Sequence, residues 1–365
     1  MGTLLDGLVA EVIRVKGSDL HLKADAMPRA RINGRLIYFR TGQPLDGQKM
    51  VEIARDAMGE EAWAIFMATK EMDFAYTTQF GVRLRVNAFM QRGLVSMVMR
   101  LVAAKPPTFA DLGLPEVMAK IADNPRGLVL ITGPTGSGKT STLAAMVDHV
   151  NRSRPCHIVT IEDPIEVIHS DKAAIVNQRE IGFDTQSFAN AMRAAMRQDP
   201  DVILVGEMRD LETVTAALQA AETGHLVLST LHTIDAVETI TRIVDFFPPH
   251  QQHQIRSSLA AVIRGVVSQR LIPTIDHKSR VPALEVLVAN GRVQQCIIEP
   301  DKTSDLAGII REGEFYGMMT FDQSLEKLFE AGSISIQDAL ENATSPHDLR
   351  LSLTRRGMLT PESIM

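Results

Sequence analysis

The sequence predicts an α/β protein with two domains, a small α+β domain followed by a larger domain with a mainly parallel sheet. Three observations lead to this prediction. The 365 residues exceed the usual size of a single domain. After about residue 113, apolar runs alternate with helix-periodic segments, a pattern typical of a parallel sheet covered on both faces. A glycine-rich motif stands between one such run and a helix.

Composition excludes several classes of protein. The net charge of −6 does not favour nucleic acid or an anionic membrane as a partner. The two cysteines, Cys156 and Cys296, are far apart, which fits a reducing cytosol and excludes a four-cysteine zinc site. No basic leader segment is recognisable, and no apolar run approaches the roughly 20 residues of a membrane span. We therefore expect a cytoplasmic chain that does not insert into the membrane directly.

Residues 1–102 predict the small domain. Leu4, Leu5, Leu8, Val9 and Val12 mark one face of an opening helix. Asn33-Gly34 separates two apolar runs and predicts a hairpin turn. Strand-like and helical segments together predict an antiparallel sheet with helices: strands at 19–22, 30–32, 35–39, 82–89 and 94–102, and helices at 47–58 and 60–69.

A linker is predicted at 103–112, where two prolines block helix continuation. Residues 113–365 form the second domain, with C-terminal helices from about residue 290. The predicted strands are 128–132, 158–161, 202–205 and 226–230. The predicted helices are 187–197, 210–222, 251–267, one around Phe321 and Leu325, and one with a capping box at Ser335. This order resembles RecA-like P-loop folds.

The central motif is GPTGSGKT at 133–140, which fits G-x-x-x-x-G-K-[ST] in the required strand–turn–helix context. Its glycines permit positive φ and a close approach of the backbone to phosphate. Lys139 supplies a charge for the β- and γ-phosphates, and Thr140 offers a hydroxyl to Mg²⁺. We expect ATP and Mg²⁺ to bind here. The predicted nucleotide-binding residues are Gly133, Pro134, Thr135, Gly136, Ser137, Gly138, Lys139, Thr140 and Ser141.

Carboxylates follow two of the predicted strands. Glu207 ends the apolar run 202–205 and is the candidate Walker B metal acid; the alternative is a structural ion pair with Arg209. Glu162, Asp163 and Glu166 follow the strand 158–161, where α/β folds place their ligands. One of the three can orient the attacking water, and chemistry alone does not choose among them.

Histidines and arginines are further candidates. His225 and His232 bracket the strand 226–230, where each could hydrogen-bond an acid or a phosphate or serve only structure. Arg83 and Arg85 share one strand face, and Arg92 follows them. Arginines outside a P-loop domain can stabilise a γ-phosphate in cis or from a neighbouring subunit, or they can form a solvated face.

With these motifs assembled, the chain resembles the secretion ATPase superfamily and, within it, the retraction ATPases of type IV pili, the PilT/PilU group. The resemblance spans nearly the whole chain. It is carried by GSDLHL at 17–22, RLRVNAFMQR at 83–92, the P-loop, IEDPIE at 161–166, RQDPDVILVGEMRD at 197–210 and TGHLVLSTLH at 223–232.

The resemblance implies a hexameric motor with a PAS-like N-terminal domain and a RecA-like C-terminal domain. It implies Glu166 as the catalytic glutamate, Glu207 as the Walker B acid, His225 and His232 as the histidine box, and arginines that complete the site. It also implies a role in twitching motility, peripheral to an inner-membrane pilus platform protein, with a second retraction ATPase as a further possible partner.

Two features bear on the subtype. The longer N-terminal region and four-cysteine motif usual in assembly ATPases are not seen, which favours retraction. The segment 295–302 lacks the arginine of an Ala-Ile-Arg-Ala-Gly-like motif, and 345–351 looks closer to PilU. The open alternatives are an accessory retraction or secretion-system ATPase and, from the RecA-like fold alone, a nucleic-acid translocase.

Overall fold

The computed structural model describes residues 3–32, 34–39, 43–103 and 105–359. Its contacts divide into two compact units. The amino-terminal unit comprises the chain up to Lys105 together with Glu166–Ile168. The second unit comprises Pro106–Ile165 and the chain from His169 onward. Each unit has its own core, so each is described separately.

The amino-terminal unit is an antiparallel sheet with helices against one face. Its elements are α1 (Leu4–Arg14), β1 (Asp19–Lys23), β2 (Arg29–Ile32), β3 (Arg35–Tyr38), α2 (Gly47–Met58), α3 (Glu60–Thr69), β4 (Glu71–Thr77), β5 (Arg83–Gln91) and β6 (Leu94–Leu101). The strand order is β3-β2-β1-β6-β5-β4, with every neighbouring pair antiparallel.

Alternation along β5 decides which side chains enter this core. Leu84, Val86 and Ala88 are buried, whereas Arg85 is exposed and lies opposite Arg100 of β6. The predicted small α+β domain is thus confirmed in its antiparallel sheet and its helices. The hairpin is confirmed by the β2–β3 pairing and by Gly34, whose φ is +80°; Asn33 lies outside the described residues. β4 was not expected, since acidic residues interrupt its apolar positions.

The second unit contains a mostly parallel sheet. Its elements are α4 (Val117–Ala122), β7 (Gly127–Thr132), α5 (Lys139–Ser153), β8 (His157–Glu162), β9 (Ile175–Glu180), α6 (Phe188–Ala195), β10 (Val202–Val205), α7 (Leu211–Glu222), β11 (Leu226–Leu231), α8 (Ala236–Asp245), α9 (Pro249–Val262), β12 (Ile263–Pro273), β13 (Arg280–Val288), α10 (Gly291–Ile298), α11 (Leu306–Glu312), α12 (Phe321–Glu330), α13 (Ile336–Asn342) and α14 (Pro346–Arg355). Its strand order is β13-β12-β7-β11-β10-β8-β9, and only the β12–β13 pair is antiparallel.

Helices cover both faces of this sheet. Leu128 and Leu130 of β7 pack into one hydrophobic cluster, with α6–α9, while Val129 and Ile131 pack into the other, with α4 and α5. Successive side chains of a strand point to opposite faces. A strand buried on both faces therefore needs an uninterrupted apolar run, which is the pattern that predicted the parallel sheet.

One predicted helix ends early. The helix expected over 251–267 stops at Val262, and β12 begins at Ile263. Ile263, Val266 and Val267 are β-branched, and Gly265 has Leu287 and Ile121 against its Cα, both of which favour a buried strand. β9 and β13 were also not predicted. Ser335 does cap α13, accepting from the N–H of Asp338 at 3.1 Å.

The last three helices, α12–α14, gather around a separate cluster. This C-terminal cluster comprises Ile272, Ala283, Phe321, Leu325, Ile334, Ala339, Leu349 and Leu353. Two of its members belong to strands, Ile272 to β12 and Ala283 to β13. Among the described residues, no helix is both long enough and apolar enough to cross a bilayer.

Candidate active site

The carboxyl edge of the parallel sheet carries the glycine-rich loop. β7 ends at Thr132, the loop follows, and α5 begins at Lys139. Gly133 has φ +139° and Gly138 has φ +92°, a region that other residues adopt only with strain. A glycine-rich turn between a strand end and a helix start is the arrangement that binds phosphate.

Lys139 lies over the loop. It is buried, and Nζ donates to the carbonyl oxygens of Gly133 at 2.7 Å and Pro134 at 3.0 Å. Burial lowers the pKa of its ammonium, and the negative charge of Glu207 opposes this shift. The strand order β7-β11-β10, with both pairs parallel, places the end of β10 at the same edge of the sheet as the loop.

Ser137 in the loop and Thr140 at the start of α5 each have a hydroxyl that can contact a ligand. Ser137 Oγ is buried and, within the described part of the chain, has no hydrogen-bond partner. Buried polar atoms are seldom left unpaired, so this atom fits contact with a phosphate oxygen. Thr140 is exposed at the start of α5.

The side chain of Glu207, which follows β10, contacts a residue that follows the neighbouring strand β11. Oε2 lies 2.8 Å from Nη2 of Arg209, and Oε1 lies 3.3 Å from Nε2 of His232, the residue after β11. Burial raises the pKa of this carboxyl, but hydrogen bonds and charges from Arg209 and His232 outweigh burial, so the net shift is downward. Glu207 is therefore ionised at neutral pH. The ion pair with Arg209, the structural alternative, is present, and it leaves an anionic oxygen donor at the carboxyl edge.

Magnesium suits these donors. Among the described residues, no group of three or more His, Cys, Asp or Glu side chains is arranged to hold a metal. Mg²⁺ on a nucleotide needs fewer protein ligands, because it keeps water molecules and takes phosphate oxygens. The hard oxygens of Thr140 and the ionised Glu207 are the ligand type that this ion prefers.

The three acids at the end of β8 and after it have different surroundings. Oε1 of Glu162 accepts from Thr160 Oγ1 at 2.7 Å and from Gln178 Nε2 at 3.0 Å. Asp163 is exposed. Glu166 is also exposed, and its backbone belongs to the amino-terminal unit, where its carbonyl oxygen accepts from the N–H of Ala103 at 3.4 Å.

The two histidines lie at opposite ends of β11. His232 follows the carboxyl end and contacts Glu207. His225 precedes the amino end, where Nδ1 donates to the carbonyl oxygen of Ala220 at 2.9 Å and lies 3.2 Å from Thr223 Oγ1. Within one chain, the structure brings His232 to the carboxyl edge and leaves His225 capping α7.

The three arginines lie in the amino-terminal unit. Arg83 is half-buried and Arg85 is exposed, on the same side of β5. Arg92 is exposed and has φ +53°, in the turn between β5 and β6 with Gly93.

Sequence reasoning missed the strand that flanks the loop. Gln269 of β12 is buried, and Oε1 accepts from Thr142 Oγ1 of α5 at 2.8 Å. The available signal was the β-branched residues Ile263, Val266 and Val267, but the segment was assigned to the predicted helix.

The comparisons with known proteins cover most of the chain. A sequence model described as "Type II/IV secretion system protein" matches residues 3–332. The chain is 43% identical over 341 residues to the type IV pilus retraction ATPase PilT of Pseudomonas aeruginosa, covering 93% of this chain and 98% of that protein. It is 40% identical over 346 residues to the pilus ATPase PilU of the same organism, covering 95% and 90%.

A solved structure shows the same architecture. It is described as the pilus retraction motor PilT with bound ADP, and it superposes with a TM-score of 0.89 at 42% identity, covering 95% of this chain and 99% of that one. The predicted α/β fold with a mainly parallel sheet is confirmed by this likeness.

Proposed function

We propose that this chain, which belongs to the type II/IV secretion system protein family and is an ATPase, drives the retraction of type IV pili in twitching motility. The observation that carries the proposal is the carboxylate of Glu207, held by His232 and Arg209 at the same edge of the sheet as the glycine-rich loop. Such a loop facing an ionised strand-end acid is the arrangement of P-loop hydrolases. The likeness to PilT indicates that the motor acts on a type IV pilus.

The loop residues bind and orient ATP. Backbone N–H groups of 133–140 and the hydroxyl of Ser137 hold phosphate oxygens. When ATP binds, Lys139 Nζ leaves the carbonyl oxygens of Gly133 and Pro134 and donates to the β- and γ-phosphates instead. Thr140 and Glu207 hold Mg²⁺, which neutralises charge on the phosphates when it is bound. His232 and Arg209 keep Glu207 ionised and oriented.

Glu166 is the proposed group that orients the attacking water. Glu166 is exposed, and among the described residues its carboxylate has no hydrogen-bond partner. Glu162, in contrast, accepts hydrogen bonds from Thr160 and Gln178. A carboxylate that accepts the proton of water must be open to that water. Arg83, Arg85 and Arg92 supply positive charge for the transition state, in cis or from a neighbouring subunit.

The proposed assembly is a homo-hexamer that acts at the cytoplasmic side of an inner-membrane pilus platform protein. The relatives support a retraction motor of this kind, and identities of 43% to PilT and 40% to PilU are too alike to choose between the two roles. A second retraction ATPase in the same cell would be a partner if this chain acts as the accessory motor.

The test replaces Lys139 in the chromosome and in purified protein. Lys139→Ala should lower the rate of Mg²⁺-dependent ATP hydrolysis by about 100-fold, which is the usual loss when one preorganised electrostatic contact is removed. It should also stop the retraction of fluorescently labelled pili. Lys278→Ala, which changes an exposed lysine in the β12–β13 loop, is the control. Parent-level hydrolysis by Lys139→Ala would refute the ATP site. Normal retraction despite lost hydrolysis would refute the assigned motor role.

A further inference from the structure

The strand β12 runs past the end of β7 and forms a wall beside the glycine-rich loop. The last paired residues of the two strands are Ser268 and Thr132. Beyond this pair β7 turns into the loop, whereas β12 continues to Pro273. We propose that Gln269, the first residue of this continuation, is a positioning residue that holds the loop in its phosphate-binding geometry. The inference rests on the nucleotide site proposed above.

The backbone of Gln269 supports the beginning of the loop. A Cβ atom added to Gly133 would lie 2.3 Å from the carbonyl oxygen of Gln269. No side chain fits at that distance, so the Gly133 Cα packs directly on the strand backbone. The glycine is needed here for this approach as well as for its φ of +139°.

The side chain of Gln269 supports the end of the loop. A Cβ atom added to Gly138 would lie 2.8 Å from Nε2 of Gln269. On the same amide, Oε1 accepts from Thr142 Oγ1 at 2.8 Å, and the N–H of Thr142 donates to the carbonyl oxygen of Gly138 at 3.0 Å. One amide therefore contacts the last glycine of the loop and the first turn of α5.

Burial makes these contacts consequential. Gln269 is 3% exposed and Thr142 is fully buried, so neither polar group can turn to water if the other is removed. Gly133 opens the loop and Gly138 closes it. A residue that touches both ends sets the distance between them, and this distance decides whether the intervening N–H groups converge on one phosphate.

The expected effect is on nucleotide affinity more than on turnover at saturating ATP. Gln269→Ala leaves the Thr142 hydroxyl buried and unpaired, which should raise the Kd for a fluorescent ADP analogue about tenfold. Thr142→Val removes the same hydrogen bond without changing shape and should raise the Kd similarly. The double variant should add little to either single change, because both remove one interaction. Thr142→Ser keeps the hydroxyl and should restore binding.

The matched control is Ser268→Ala. Ser268 Oγ pairs with Thr132 Oγ1 at 2.9 Å, both fully buried, on the same two strands and one residue before the loop. Its loss should lower the free energy of unfolding in urea as Gln269→Ala does, but leave the Kd within about twofold of the parent value.

Two outcomes overturn the inference: an unchanged Kd in Thr142→Val, or equal rises of Kd in Gln269→Ala and Ser268→Ala. The isosteric Thr142→Val keeps the test decisive if Gln269→Ala fails to fold. A parent protein that does not bind the ADP analogue would instead refute the nucleotide site itself, so the two failures are distinguishable.

Discussion

Nε2 of His232 lies 3.3 Å from Oε1 of Glu207, which ties the residue after β11 to the acid that follows β10. The two strands are parallel neighbours, so their carboxyl ends meet at one edge of the sheet. Through this contact the residue after one strand helps, together with Arg209, to orient the acid after the next and to lower its pKa.

His232 should matter for turnover and for its pH dependence. His232→Ala should lower kcat about tenfold, because Glu207 loses one of its two orienting partners. It should also raise the pKa of Glu207, since His232 helps to lower it. The carboxylate is the active form, so the acid limb of the kcat/KM profile, which reports the free enzyme, should move to higher pH. His253→Ala, at an exposed position of α9, is the control. A limb that does not move would count against the role of His232.

Substitutions of Glu162, at the end of β8, and of Glu166, after it, should differ in their effect on kcat. Glu166→Gln should lower kcat by about 100-fold, the lower range for loss of a general base, while the Kd for an ADP analogue changes little. Glu162→Gln should lower kcat less than tenfold, because that side chain serves Thr160 and Gln178. Steady-state hydrolysis with single-turnover controls measures both. The reverse order of effects would assign the base to Glu162.

Stability should fall with rising pH because of Glu285. This carboxyl on β13 is buried, and burial raises its pKa to about 7. It accepts from the N–H of Ala236 at 2.8 Å and faces Asp235, Arg270 and Asp322. Since the native state holds a proton that the unfolded chain has lost above pH 4.5, stability decreases between about pH 4.5 and pH 7, by about 3 kcal/mol in total.

Glu285→Gln tests that dependence. The amide keeps an acceptor for Ala236 but cannot ionise, so the slope of unfolding free energy against pH should become flatter than in the parent. Urea unfolding at pH 5, 6, 7 and 8 measures it. Glu222→Gln, at an exposed position of α7, should leave the slope unchanged. An equal slope in parent and Glu285→Gln would show that another group is responsible.

Arg270 of β12 should stabilise the packing of the C-terminal cluster against this strand. Its guanidinium lies 3.9 Å from the centroid of the Phe321 ring, and Nη1 donates to the carbonyl oxygen of Asn342 at 2.6 Å. Arg270→Ala should lower the unfolding free energy by about 2 kcal/mol, from a cation–π contact and a charged hydrogen bond. Arg280→Ala, an exposed arginine on β13, should change it by less than about 0.5 kcal/mol. Comparable losses in the two variants would contradict the linking role.

Much of the fold could be predicted because its signals are local. The uninterrupted apolar run at 128–132 identified a strand buried on both faces, and α2 and α3 have the predicted bounds. The segment after Val262 could not be assigned in the same way. This segment mixes apolar and polar residues without clear periodicity, so its β-branched residues favour a strand only weakly, and its pairing with β7 decides.

The chemistry of the loop follows from local sequence alone, since the glycines, Lys139 and Thr140 are adjacent in the chain and need only a strand before and a helix after them. Which distant residues meet this edge of the sheet depends on the packing of the whole domain. Strand order placed His232 beside Glu207 and left His225 at the opposite edge, and the register of β12 against β7 placed Gln269 against Gly133. Register depends on contacts between segments more than 100 residues apart, such as Thr142 and Gln269, which no local pattern records.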